Sequence, residues 1–183
     1  MSRAIYYLPG RNGKLSEGLG AFLQEHCDEL SGREVSGDVR GLPFEAQLEV
    51  IRQDLIDSHW HENGRLVANS YGAYLLLHAL INMEPYPGKM FLLSPILGAV
   101  QTKDSYFRPP SAKLLLNSFD DKTFPMPRDL SCIVGDMDWQ SVPDRCELLC
   151  NAVGGSLEKI PIMGHGIEPL AVASSMAGWF NSR

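Results

Sequence analysis

The sequence predicts an α/β fold in three layers: a mainly parallel sheet of about six strands, with helices on both faces. Three observations point to it. Short apolar runs of strand length alternate with longer stretches whose apolar residues recur every three to four positions, the two periods of strand and helix. The connections between them are short, as crossover helices on a parallel sheet require. The 183 residues, 44% of them hydrophobic, are enough to bury one sizeable core, so a single domain over 1–183 is expected.

The first strand is expected over residues 3 to 8, where Ala4-Ile5-Tyr6-Tyr7-Leu8 runs into Pro9-Gly10. A helix over 14 to 30 follows from Leu15, Leu19, Phe22, Leu23 and Leu30 at helical spacing, and then a more polar strand from Glu34 to Val39. Leu42-Pro43-Phe44 opens a second helix with Leu48, Ile51, Leu55 and Ile56 on its inner face. Pro43 suits its first turn, where a missing N–H costs nothing. Residues 65 to 69 form the next strand. The helix after Ser70 is apolar nearly all round, from Tyr71 to Ile81, which marks a helix buried at the centre of the fold. Lys89-Met90-Phe91-Leu92-Leu93 makes a strand ending at Ser94-Pro95. Strands near 130–134 and 156–160 flank a helix over 143–153, and a last helix runs over 167–181.

The stretch 98–128 breaks this rhythm, with Pro109, Pro110, Pro125 and Pro127 bracketing Leu114-Leu115-Leu116. Unstructured connections of such length are uncommon in compact domains and tend to be functional. Two readings stand side by side: a small lid whose Tyr106, Phe107, Leu115, Phe119 and Phe124 line a pocket, or one surface helix between two proline-rich loops.

The chemistry is concentrated at three strand ends. Leu66-Val67-Ala68-Asn69-Ser70-Tyr71-Gly72 reads as a strand turning sharply into a helix at a serine, with small residues two before and two after it. Such a turn needs small neighbours because strand and helix backbones nearly touch, and it lifts the hydroxyl above the sheet at a helix N-terminus. Downstream, Cys132-Ile133-Val134-Gly135 runs into Asp136 and Asp138, and Ile160-Pro161-Ile162-Met163-Gly164 runs into His165. Serine, carboxylate and histidine, each after a strand, are the parts of an activated nucleophile, and an open parallel sheet gathers its chemistry at such strand ends.

Taken together, these parts resemble the α/β-hydrolase superfamily, in the form of a small esterase-like serine hydrolase with a minimal core, over nearly the whole chain. The likeness is carried by Ala68-Asn69-Ser70-Tyr71-Gly72, by Gly135-Asp136-Met137-Asp138 followed by Val142-Pro143, by Gly164-His165-Gly166 and by Leu8-Pro9-Gly10-Arg11. The order Ser, Asp, His is that of the superfamily. Departures are Ala68 in place of the first Gly of G-x-S-x-G, and Pro9 where many relatives carry His.

The resemblance implies a catalytic triad of Ser70 as nucleophile, His165 as general base and acid, and Asp138 as the acid that orients the imidazole. Asp138 is favoured because family members commonly place the acid three residues after the strand-ending glycine, here Gly135. Its spacing to Val142-Pro143 is one residue longer than usual, which keeps Asp136 as the competing choice. The oxyanion hole is expected from the backbone N–H groups of Tyr71 and Arg11, with Gly10 allowing close approach.

The implied function is hydrolysis of a small carboxylic ester or thioester through an acyl-enzyme, with no cofactor and no metal. The alternatives are a peptidase or amidase with the same triad, or a non-catalytic binding module on the same fold. A nicotinamide enzyme is disfavoured because the first strand is followed by Pro-Gly-Arg-Asn-Gly and not by G-x-G-x-x-G. A net charge of −6 argues against a broad nucleic-acid surface, and the partner that the resemblance implies is a small-molecule acyl ester or thioester. No stretch is apolar enough to span a bilayer and no signal peptide is visible, so a cytoplasmic location is expected.

Cys27, Cys132, Cys146 and Cys150 are read as packing residues, because their spacing suits neither a disulfide framework nor a zinc site. His59 and His61, at i and i+2, are read as a solvated helix end.

Overall fold

The computed structural model describes residues 4–102 and 105–181. Its sheet is built from β1 (Ala4–Leu8), β2 (Glu29–Gly32), β3 (Arg65–Asn69), β4 (Lys89–Leu93), β7 (Asp129–Gly135) and β8 (Ser156–Ile160) in the order β2-β1-β3-β4-β7-β8, every pair parallel. A two-stranded antiparallel hairpin, β5 (Val100–Gln101) with β6 (Tyr106–Phe107), stands apart. The helices are α1 (Leu19–His26), α2 (Gly37–Gly41), α3 (Phe44–Asp54), α4 (Ser70–Leu80), α5 (Leu114–Asp120), α6 (Pro143–Val153) and α7 (Pro169–Asn181).

Strand alternation divides the core in two. Tyr6, Leu8, Leu66, Ala68, Met90, Leu92, Cys132 and Val134 face one layer, where α3, α4, α5 and α6 pack. Ile5, Tyr7, Val67, Phe91, Leu93 and Ile133 face the other, against Leu23 of α1 and Val172, Met176 and Trp179 of α7. A period of two with both faces apolar is what a doubly covered parallel sheet demands. Tyr71 to Leu80 of α4 are all buried, and each fully buried leucine there contributes about 1.5–3 kcal/mol through burial. Cys132 lies with Cys146 and Cys150 between β7 and α6, and all four cysteines are free thiols.

Several expectations need correction, among them Ile56, which is exposed and not on an inner helix face. The first helix is shorter than 14 to 30, and the second strand lies at 29–32 instead of 34–39. Glu34 explains part of this: its carboxylate accepts the Leu15 N–H at 3.1 Å and the Lys14 ammonium at 2.9 Å, holding 14–18 in turns ahead of α1. Leu30, which fits the helical spacing, instead sits opposite Ile5 in the sheet. One apolar residue satisfies either period, and the sheet pairing decides.

His59 needs correction too. The chain continues from α3 into a π-helical turn, Leu55–His59, that buries the imidazole to 7% exposure with Nε2 2.9 Å from Ser31 Oγ. An inserted residue in a wider turn rotates the following side chains, so the i, i+2 argument for a solvated histidine loses its phase.

The 98–128 stretch is tied down on both sides. Tyr74 of α4 donates its hydroxyl to the Pro110 carbonyl, and Arg145 of α6 donates to the Ala99 carbonyl at 2.7 Å. Leu115, Phe119 and Phe124 are buried in the larger core cluster, and Tyr106 is exposed. Among the described residues no helix is long and apolar enough to cross a membrane.

Candidate active site

The strand order places β1 beside β3, with β2 on one side and β4 on the other, so the chain reverses its winding at that pair. A crevice forms at such a switch point, beyond the carboxyl ends of the strands. Ser70 stands there, at the end of β3 and the start of α4, with a backbone φ of 52°. A left-handed serine is strained, and it turns the chain sharply enough to lift the side chain off the sheet. The turn is crowded. A Cβ on Gly72 would lie 2.2 Å from the Leu8 carbonyl oxygen, and one on Gly10 would lie 3.1 Å from Ser70 Cβ.

His165 and Asp138 meet this serine from β8 and β7. Ser70 Oγ lies 2.8 Å from His165 Nε2, and His165 Nδ1 lies 3.0 Å from Asp138 Oδ2. A carboxylate can only accept, so Nδ1 carries the proton, and Nε2 is left to accept from the Ser70 hydroxyl. Asp138 is 1% exposed, and its Oδ1 accepts the N–H groups of Gln140 and Ser141, each at 2.9 Å. Burial pushes the Asp138 carboxyl up, but the His165 ring and the Ser141 N–H outweigh it and hold the group below the ordinary carboxylate range.

Asp136 does something else. It accepts the Ile162 N–H at 2.7 Å, and the Met137 N–H reaches the Met163 carbonyl at 3.0 Å, so the two loops are laced together. A Cβ on Gly135 would sit 2.1 Å from the Met163 oxygen, so only glycine lets the loops approach this closely. The lacing carries His165 to Asp138.

Tyr71 follows Ser70 in the first turn of α4, and Arg11 follows Gly10 in the loop after β1. The loop is held to the elbow by Asn69, whose Oδ1 accepts the Gly10 N–H at 2.7 Å and the Tyr7 hydroxyl at 3.0 Å. Sequence reasoning missed Asn69, and its place inside the elbow motif is the one signal that could have found it. Ser141, with Oγ 3.3 Å from His165 Nδ1, was missed too and carries no signal in the sequence.

Ser70, His165, Tyr71 and Arg11 line a cleft of about 660 Å³ together with Asn69, Ile96 and Phe107. Of the five residues considered for a lid pocket, Phe107 alone is among the cleft-lining residues.

This sheet order, with a serine elbow after β3, is the α/β-hydrolase fold, and solved structures match it along the whole chain. The ydeN gene product of B. subtilis is similar with a TM-score of 0.69 at 15% identity, covering 100% of each chain. Est1E from Butyrivibrio proteoclasticus is similar with a TM-score of 0.68 at 12% identity, covering 97% of this chain and 86% of its own. A YdeN-like hydrolase from Pectobacterium atrosepticum has a TM-score of 0.64 at 14% identity, covering 97% and 90%. No protein-family model matches the sequence, and no curated protein matches it.

Proposed function

We propose that this chain is a serine hydrolase that cleaves a small carboxylic ester or thioester through an acyl-enzyme. The observation that carries the reading is the unbroken line Ser70 Oγ, His165 Nε2, His165 Nδ1, Asp138 Oδ2, with links of 2.8 and 3.0 Å, opening on a cleft. His165 takes the proton as Ser70 Oγ attacks the carbonyl carbon, then gives it to the leaving alcohol or thiol. Asp138 keeps the imidazole in the useful tautomer and stabilises the imidazolium. The N–H groups of Tyr71 and Arg11 receive the oxyanion, with the α4 N-terminus adding positive potential. Water then repeats the cycle on the acyl-serine.

A non-catalytic module would have no need to keep the imidazole between hydroxyl and carboxylate, so the enzyme reading is the stronger. Four free thiols, three of them buried, go with a cytoplasmic location. Release of 4-nitrophenol from the acetate and butyrate esters, with an initial burst equal to the enzyme concentration, tests the reading. Folded protein with no turnover of esters or thioesters would contradict it.

A further inference from the structure

The cleft holds a cation that the proposed chemistry does not use. Arg11 enters the reaction through its backbone N–H, yet its guanidinium also reaches the cleft wall, 4.4 Å from the Tyr71 ring centroid and 4.8 Å from that of Phe107. The two rings stand edge to face at 78°, so the guanidinium lies in the angle between them. Cation–π contact on two rings fixes the side chain before any ligand arrives, which lowers the entropy lost on binding.

The charge of Arg11 is otherwise unspent. Among the described residues no carboxylate pairs with it, whereas the cleft's other cation, Lys14, is neutralised by Glu34 at 2.9 Å. Glu17, the acidic residue of the cleft lining, is near enough to Lys14 to act on its charge. One fixed guanidinium, with its planar set of N–H donors, suits a monoanionic carboxylate, which it can bind through two parallel hydrogen bonds. A phosphate dianion would call for a second free cation.

We propose that the Arg11 side chain is a specificity-determining anion site, so that the preferred substrate is an ester or thioester carrying a carboxylate at a distance from the scissile carbonyl, on its acyl chain or on its alcohol. The proposal rests on the serine-hydrolase reading above. Phe107, Tyr71 and Ile96 then supply the apolar wall along which the substrate's hydrocarbon lies.

The test compares kcat/KM for charged and neutral esters. One arm sets the 4-nitrophenyl monoester of adipic acid against 4-nitrophenyl hexanoate; the other sets the butyrate ester of 3-hydroxybenzoate against phenyl butyrate. The arms tell the acyl side from the alcohol side. In at least one arm the charged ester is expected to be preferred by about tenfold or more, the scale of a hydrogen bond to a charged group. Arg11→Met should bring that ratio near one, and Arg11→Lys should keep part of it. No preference in either arm, or a preference that survives Arg11→Met, overturns the proposal.

A binding arm needs no turnover. Monomethyl adipate, a monoanion, titrated into Ser70→Ala protein should bind, and should fail to bind the double variant Ser70→Ala/Arg11→Met. Its binding through Arg11 beside an unreactive Ser70 would sink the hydrolase reading and leave the anion site standing. A reactive Ser70 with neither preference nor binding would do the reverse.

Discussion

The carboxylate of Asp138 lies 3.0 Å from Nδ1 of His165, while Asp136, two residues earlier, faces away and accepts the N–H of Ile162. The two aspartates therefore separate by experiment. Asp138→Asn should keep the fold and lower kcat by about 10⁴-fold, because an amide that donates to Nδ1 imposes the wrong tautomer. Asp136→Asn keeps an acceptor for Ile162 and should cost far less. A larger loss in Asp136→Asn, measured as kcat on 4-nitrophenyl butyrate, would reverse the assignment.

Asn69 binds the loop after β1 to the Ser70 turn through the Gly10 N–H. Asn69→Ala should free that loop, misplace the proposed Arg11 donor and lower kcat by about 10²-fold, the usual effect of a roughly 1 Å error in a catalytic group. Ser70 should remain reactive toward a small phosphonate. The comparison of kcat with labelling rate checks this.

Gly72 has no room for a side chain, since a Cβ would meet the Leu8 oxygen at 2.2 Å and the Pro9 oxygen at 2.4 Å. Gly72→Ala should destabilise the protein by about 1–3 kcal/mol, the range for overpacking. The midpoint of urea unfolding reads it.

The buried hydroxyl of Tyr6 donates to Asp54 Oδ2 at 2.7 Å, and Arg33 Nη2 donates to Oδ1 at 2.7 Å. Burial pushes the Asp54 carboxyl up, but Arg33 and Tyr6 prevail and hold it below its ordinary value. A depressed folded value means this stabilisation is complete above the unfolded carboxylate pKa of about 4 and is lost as pH falls through the lower folded value. Asp54→Asn should lower stability at pH 7 by about 1–3 kcal/mol and flatten its fall below about pH 4. Parallel pH-stability curves for the two proteins would contradict the pairing.

Most of the sheet was legible because its strands are apolar on both faces and end at Pro9-Gly10, Asn69-Ser70 and Gly135. The residues of the proposed triad stand at or shortly after strand ends, so Ser70, Asp138 and His165 could be named from pattern and resemblance. The 27–41 region was misread because Leu30 serves helix and strand periods alike and the pinning contact from Glu34 is non-local. His59 was misread for a related reason: nothing in the sequence marks the extra residue of a π turn. Asn69 and Ser141 act through polar atoms aimed at partners on other elements, which no periodicity encodes. In the 98–128 stretch, Leu115, Phe119 and Phe124 looked as suited to a pocket as to a core, because apolar side chains serve both.

The most direct measurement is the intact mass of the purified protein after treatment with a fluorophosphonate, beside the Ser70→Ala variant treated alike. One adduct on the wild-type chain, absent from the variant, is the expected result and identifies Ser70 as an activated nucleophile. A folded wild-type chain that takes no adduct, or a variant that takes the same one, would contradict the central claim.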